Sequence, residues 1–185
     1  MVPGPEHNLS GTAFLSIQDK YFSLRNEIDS ICLRLEENYR EFISCSAACH
    51  KCCMDFGIFP IEFYAIYKEI SGGKIKLNTN ISEGECIFLT DDLCSIYKSR
   101  PIICRTQGLP LLFMGEDQWE ISYCELNFTG SNITDFNESN TFLQDLYNSN
   151  LFLINREFVD SFKDKPYSEM DLIPLKDLSY LMKKK

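Results

Sequence analysis

From about Phe14 to Ile43, apolar residues recur at alternating steps of three and four. They are Ile17, Tyr21, Leu24, Ile28, Ile31, Leu35 and Phe42, with Asn38 the one polar interruption. This period is helical and predicts one long amphipathic helix with a face to bury. Cys32 lies beside the stripe and reads as a core cysteine, because lone cysteines are mostly buried as small hydrophobes. Residues 1–11 carry two prolines and two glycines and are expected to be disordered. Further on, Gly57-Ile58-Phe59 reads as extended. Pro60 suits the first turn of a second helix running to about Ile70. Ser71-Gly72-Gly73 should stop that helix, glycine being free to turn left-handed.

The pattern then shortens. Residues 74–84 read as a polar loop. Two short strands, Cys86–Leu89 and Cys94–Tyr97, are joined by Thr90-Asp91-Asp92, a tight-turn sequence that would hold Cys86 and Cys94 close together. Ser99-Arg100-Pro101 opens a short turn or helix carrying Cys104 and Arg105. Leu109–Met114 and Gln118–Cys124 read as a second hairpin around Gly115-Glu116-Asp117. Residues 125–140 are polar and loop-like. Helical spacing returns from Thr141 to about Phe162, through Phe142, Leu146, Leu153, Phe158 and Phe162. Pro174 suits the start of a last short helix, and Lys183-Lys184-Lys185 read as a solvated end. The expected architecture is one α+β domain over residues 1–185. A small irregular β-hairpin centre carries a cysteine cluster, flanked by long N- and C-terminal helices.

Composition narrows the partners. At 185 residues and 44% hydrophobic, the chain can bury a core without disulfide staples. Its 27 acidic and 18 basic residues give a net charge of -9, which argues against nucleic acid as the main partner. No run approaches the ~18 apolar residues of a membrane helix. The start MVPGPEHNLSG has neither the basic nor the apolar stretch of a secretory signal. A cytoplasmic, reducing location is expected, so the thiols should be free for metal. The sequons at Asn8, Asn80, Asn127, Asn132 and Asn137 then carry no meaning.

The candidate chemistry lies in the cysteines. Four of the nine fall in Cys45-Ser-Ala-Ala-Cys49-His-Lys-Cys52-Cys53, and Cys86, Cys94, Cys104 and Cys124 follow. C-x2-C spacing sets two thiolates within reach of one metal ion or cluster. In a continuous helix the four clustered cysteines would share about 100° of arc, yet Cys45 and Cys52 would stand about 10 Å apart. One zinc with bonds near ~2.3 Å cannot span that. Either the backbone leaves the helix between Cys45 and Cys49, or more than one metal atom is served. The vicinal pair Cys52-Cys53 points the same way, because adjacent side chains diverge. Zinc, an iron–sulfur cluster and thiol redox chemistry all remain open at this point. Arg105, directly after Cys104, is a candidate to donate hydrogen bonds to sulfur and offset thiolate charge. His50 reads as solvent-facing, and Lys51 and Lys98 as surface charge. With His7 and His50 the only histidines, no hydrolase triad and no HExxH can be assembled.

The run from Cys45 to Cys53, then Cys86-Ile-Phe-Leu, then Cys94-Ser-Ile-Tyr97-Lys-Ser-Arg100-Pro101-Ile-Ile-Cys104-Arg105, resembles the YkgJ-type cysteine cluster family. This family is also called the CxxCxxCC zinc- or iron-chelating domain. The likeness covers about residues 45–124. It implies eight metal-binding cysteines: Cys45, Cys49, Cys52, Cys53, Cys86, Cys94, Cys104 and Cys124. Cys45-x3-Cys49 is one residue longer than the family's name, and Cys32 falls outside the pattern. The family implies metal chelation without an assigned activity. The flagellin lysine N-methylase resembles it in cysteine pattern and implies an iron–sulfur cofactor. No glycine-rich nucleotide loop accompanies the cysteines here.

Two functional expectations follow. The first is a metal-binding protein holding an iron–sulfur cluster, such as 4Fe-4S, or zinc. The second is a zinc-stabilised, non-enzymatic domain whose helical surface binds a partner protein. Neither requires nucleic acid or a membrane, and neither fixes an oligomeric state or a catalytic activity.

Overall fold

The computed structural model describes residues 11–46, 49–130 and 135–182. Of the expected disorder over residues 1–11, residues 1–10 lie outside these residues, as does the lysine tail, and Gly11 instead opens a helix. Among the described residues, five helices and sheets of two or three strands make a mixed α+β architecture.

Helix α1 spans Gly11–Asn38. Its buried line is Ile17, Tyr21, Leu24, Ile28, Cys32 and Leu35, and it continues past the helix end to Tyr39. Cys32 takes the buried place and Ile31 packs at its side. Helix α2, Pro60–Ile70, begins at the proline that suits a first helical turn. It is buried on nearly every side and packs against α1 and α4. Helix α4 spans Gln144–Asp160. Between α2 and α4 the Tyr64 ring meets Phe158 at 5.5 Å, with Phe162 and Tyr167 close by. Arg25 holds both carboxylate oxygens of Glu69 at 2.9 and 2.7 Å and fastens α1 to α2.

The strands are short. β1 (Gly57–Ile58) pairs antiparallel with β7 (Ile173–Pro174). β2 (Leu89–Thr90) and β3 (Leu93–Cys94) form a hairpin. β4 (Leu111–Met114) pairs antiparallel with β5 (Trp119–Ser122) and parallel with β6 (Phe142–Leu143). The short helix α3, Ile102–Arg105, follows a single helical turn at Tyr97–Ser99, and α5 covers Leu178–Met182.

Several expectations need correction. Strand pairing at β2 and β3 starts three residues after Cys86 and stops at Cys94, so the hairpin is shorter than the pattern implies. Helix α4 starts at Gln144 because Phe142 and Leu143 are taken up beside β4. Pro174 does not open a helix. It sits in an edge strand, where a missing amide is tolerated, and a single helical turn at Leu175–Asp177 precedes α5. Helix α2 ends at Ser71 in a right-handed conformation, and the left-handed glycines are Gly84, Gly108 and Gly130, not Gly72 or Gly73. There, Ser71 N–H donates to the Tyr67 carbonyl and Gly73 N–H to the Ile70 carbonyl.

Candidate metal centre

The chain leaves helical geometry before its first clustered cysteine. Residues 39–42 turn, and the described residues from 43 to 50 are irregular. An aromatic cluster fixes this exit. Phe128 packs edge-on against Tyr39 at 5.2 Å and against Tyr123 at 4.9 Å, and its amide donates to the Phe42 carbonyl at 2.7 Å. Next to it Asn127 is 1% exposed. Its Oδ1 accepts the Ser44 amide at 2.8 Å, and its Nδ2 donates to the Gly108 carbonyl at 2.7 Å and to Cys45 Sγ at 3.5 Å. Gly108 has φ +90°, and a Cβ there would stand 2.8 Å from Cys45 Sγ. Only glycine combines that backbone with so close an approach. The same turn carries Cys124, whose carbonyl accepts the Asn127 amide at 2.9 Å. One small assembly therefore joins the Cys45 and Cys124 segments.

A second assembly forms around the hairpin. An antiparallel bridge between Met54 and Glu85 sets Cys53 and Cys86 at facing positions, and the Asp55 amide donates to the Gly84 carbonyl at 2.9 Å. The hairpin loop is Asp91-Asp92, with φ of 52° and 61°, the left-handed pair that a two-residue hairpin loop demands. The Leu89 amide donates to the Cys86 carbonyl at 3.1 Å, and the Ser95 amide to the Phe88 carbonyl at 2.8 Å. Cys104 arrives on α3. The start of α3 is tied down by Glu62, whose Oε1 accepts the Ile102 amide at 2.8 Å.

The electrostatics follow these groupings. Burial pushes the Cys45 thiol up, the Asn127 amide opposes this, and its thiol neighbours are Cys124, Cys49 and Cys52. Burial also raises Cys86, Cys94 and, strongly, Cys104, whose thiol neighbours are Cys86 and Cys94. Cys52 and Cys53 share a hydrogen bond. It holds Cys52 down at about 6 and drives Cys53 well up, with Cys86 and Cys94 also facing Cys53. Cys32 stands apart in the core, where burial raises it to about 12. Glu62 is fully enclosed, and desolvation lifts its carboxyl to about 7 against the amides of Ile102 and Phe59. The Tyr21 hydroxyl lies beside it, out of line for a well-formed hydrogen bond.

The two arginines of the motif divide the work differently from the expectation. Arg105 is buried and donates to both Asp29 oxygens at 2.7 Å and to the Arg100 and Lys98 carbonyls at 2.7 and 2.6 Å. All of these bonds go to oxygen, and they fasten the Lys98–Arg100 turn to α1. Arg100 stacks over Tyr97 at 3.7 Å and donates to the Cys104 carbonyl at 3.3 Å. Its charge favours the thiolate forms of Cys52, Cys94 and Cys104. His50 is half-exposed, with Nδ1 at 3.4 Å from Asp92 at the hairpin tip.

The candidate donors are all sulfur, with the Asn127 carboxamide on one of them and the Arg100 guanidinium nearby. This chemistry suits zinc or an iron–sulfur cluster and not an oxygen-seeking cation. As the side chains stand, among the described residues no group of three or more His, Cys, Asp or Glu is close enough to hold an ion. Two contributors escape a reading of the sequence alone. Asn127 looks like one polar residue in a polar loop, and Gly108 like one more glycine. Also among the described residues, no helix is long and apolar enough to cross a membrane.

No curated protein and no solved structure matches the chain. A family model does match, and its span begins one residue before Cys45 and ends one residue after Cys124. Residues 44–125 of this chain match the model of the CxxCxxCC family, described as a "Putative zinc- or iron-chelating domain".

Proposed function

We propose that this protein chelates an iron–sulfur cluster or zinc through Cys45, Cys49, Cys52, Cys53, Cys86, Cys94, Cys104 and Cys124. The observation that carries the reading is the pair of assemblies that bring Cys45 beside the Cys124 segment and Cys53 opposite Cys86. In the first, the Asn127 carboxamide donates to Cys45 Sγ at 3.5 Å, a bond that favours the charged thiolate, the form that binds metal. Arg100 supplies balancing charge, and Arg105 acts at one remove by fixing the turn that carries Arg100 and Cys104. All nine cysteines are free thiols, which fits a reducing, cytoplasmic location. The aromatic and aliphatic core is one cluster reaching from Ile17 to Leu181, which supports a single domain.

The test is metal and acid-labile sulfide analysis, with an absorption spectrum, on protein purified anaerobically without a chelating column. Iron with sulfide assigns a cluster, and zinc alone assigns a closed structural site. Folded protein with reduced thiols and no metal would overturn the reading.

A second reading has its own observation. An open apolar groove of about 560 Å3 runs between α2, α3 and α4, lined by Ile58, Phe59, Ile103, Phe152, Leu153 and Leu172. This favours a zinc-stabilised domain that binds a protein partner. Colourless zinc whose removal unfolds the chain supports it. An iron–sulfur spectrum sinks it.

A further inference from the structure

We infer that Asn127 is a positioning residue for the metal: its buried carboxamide holds the Cys45 sulfur in place and keeps one N–H on it when a metal binds. The inference rests on the metal-binding reading above and adds to it a residue outside the cysteine set.

Backbone partners fix the orientation of the carboxamide. The Ser44 amide can only donate, so the atom facing it at 2.8 Å is Oδ1. The Gly108 carbonyl can only accept, so the atom facing it at 2.7 Å is Nδ2. These two bonds tie the chain just before Cys45 to the turn after α3. They use Oδ1 and one of the two Nδ2 hydrogens. Closing the loop asks for nothing more, yet Nδ2 also donates to Cys45 Sγ at 3.5 Å. Asn127 is buried, so bulk water does not compete for that hydrogen.

The backbone on the other flank is shaped to the same sulfur. A Cβ on Gly108 would stand 2.8 Å from Cys45 Sγ and 3.3 Å from Asn127 Nδ2, so a larger residue would push the sulfur off the carboxamide. A side-chain amide and a missing Cβ thus converge on one atom. Cys45 is itself exposed, so its sulfur is held from one side and open to solvent on the other, whereas the thiol of Cys32 is buried in the core. The carboxamide also suits both states of the sulfur. Sγ lies 3.7 Å from Oδ1, which can accept the proton of the free thiol. On loading, that proton leaves to solvent, a sulfur–metal bond forms, and no oxidation state changes. The charged sulfur then accepts the Nδ2 hydrogen more strongly than the thiol does. Asparagine serves both states without turning over. Aspartate, with two acceptor oxygens, serves only the first.

The experiment adds 113Cd2+ to the reduced, metal-free, isotope-labelled full chain under anaerobic conditions and records its magnetic resonance spectrum. Cadmium takes soft thiolate ligands as zinc does, and its nuclear spin couples through a bound sulfur to a hydrogen donated to that sulfur. The expected result is a correlation between cadmium and an Asn127 Nδ2 proton. Cadmium bound without that correlation would overturn the assignment, because a carboxamide that only closed the loop would show none. Affinity gives a second measurement. Asn127→Asp keeps an acceptor for the Ser44 amide and removes the hydrogen on sulfur. It should bind cadmium about 10–100-fold more weakly than wild type, the usual effect of removing a partner of a metal ligand. Undiminished affinity in that variant, folded by circular dichroism, would also overturn the assignment. Should the variant not fold, the wild-type correlation decides alone. Failure of the underlying reading looks different, since reduced wild type would then bind no cadmium at all, and the role of Asn127 would fall with it.

Discussion

Helix α2 buries Pro60, Ile61, Glu62, Phe63, Tyr64, Ala65, Ile66 and Ile70, whereas the described residues from Ser44 to Gly57 bury none. The two stretches adjoin in sequence and are held by different forces. Each large apolar side chain taken from water in α2 contributes ~1.5–3 kcal/mol. The cysteine-bearing stretch has little of this, with only Cys53 and Phe56 packed, partly buried, against the core. Its fixed points are a two-residue bridge, a few backbone hydrogen bonds and the Asn127 carboxamide. In a chain with an ample core, the cysteine-rich stretch is therefore held by local polar contacts more than by burial.

Metal removal should break the comparison most visibly. On chelation, amide exchange should rise by orders of magnitude at residues 49–56, 84–95 and 104–108, while α1 and α4 stay protected. Structural zinc contributes on the order of 10 kcal/mol in small cysteine-bound domains. Uniform exchange across the chain would show that both regions share one origin of order. Phe158→Ala probes the other side. Phe158 is fully buried against Tyr64 and Phe162, and its loss should cost about 3–5 kcal/mol in denaturant unfolding with metal stoichiometry unchanged.

A smaller effect should come from Gly108→Ala, which strains a left-handed backbone and crowds Cys45. It should cost about 1–3 kcal/mol and weaken binding at the Cys45 and Cys124 side. Equal loss at the hairpin cysteines in a metal titration would contradict the separateness of the assemblies. A pH-dependent effect concerns Glu62. Its carboxyl holds a proton up to about 7, against an ordinary value of 4.5. The stability it contributes is complete below 4.5 and is lost as pH rises through 7. Glu62→Gln keeps an acceptor for the Ile102 amide, so its melting temperature should stay level across that window while that of the wild type falls. Parallel pH profiles would rule out this titration.

The legible parts were those written in local chemistry. The steps of three and four in α1, Pro60 at the start of α2 and the Asp91-Asp92 loop each act within a few residues; the last two fall where expected, whereas α1 ends at Asn38, five residues before the expected Ile43. The illegible parts depend on residues far apart. Nothing near Gly57 announces Pro174 as its partner, because a two-residue strand has no period to detect. β6 is hidden in the same way inside a helical-looking run. In the candidate site the division of the cysteines into an early and a late set could be read, whereas the divergence expected at Cys52-Cys53 is not what the structure has, since the two thiols share a hydrogen bond. The bonding of Arg105 to oxygen could not, since its neighbour in sequence is Cys104 and its neighbour in space is Asp29.

The pairing of β1 with β7 bears on the order in which a ribosome delivers this chain. The Phe56 carbonyl receives the Leu175 amide at 2.9 Å, and Asp55 receives the Lys176 amide at 2.9 Å. The stretch beside Cys53 therefore lacks its last ties until residues 173–176 have emerged. At ~5–20 residues per second, synthesis leaves an interval of several seconds after Cys53 appears. During it, the first four clustered thiols are on a nascent chain whose closing strand does not yet exist. Protection of those thiols, or early capture of metal by them, is then a matter of translation timing as well as of affinity.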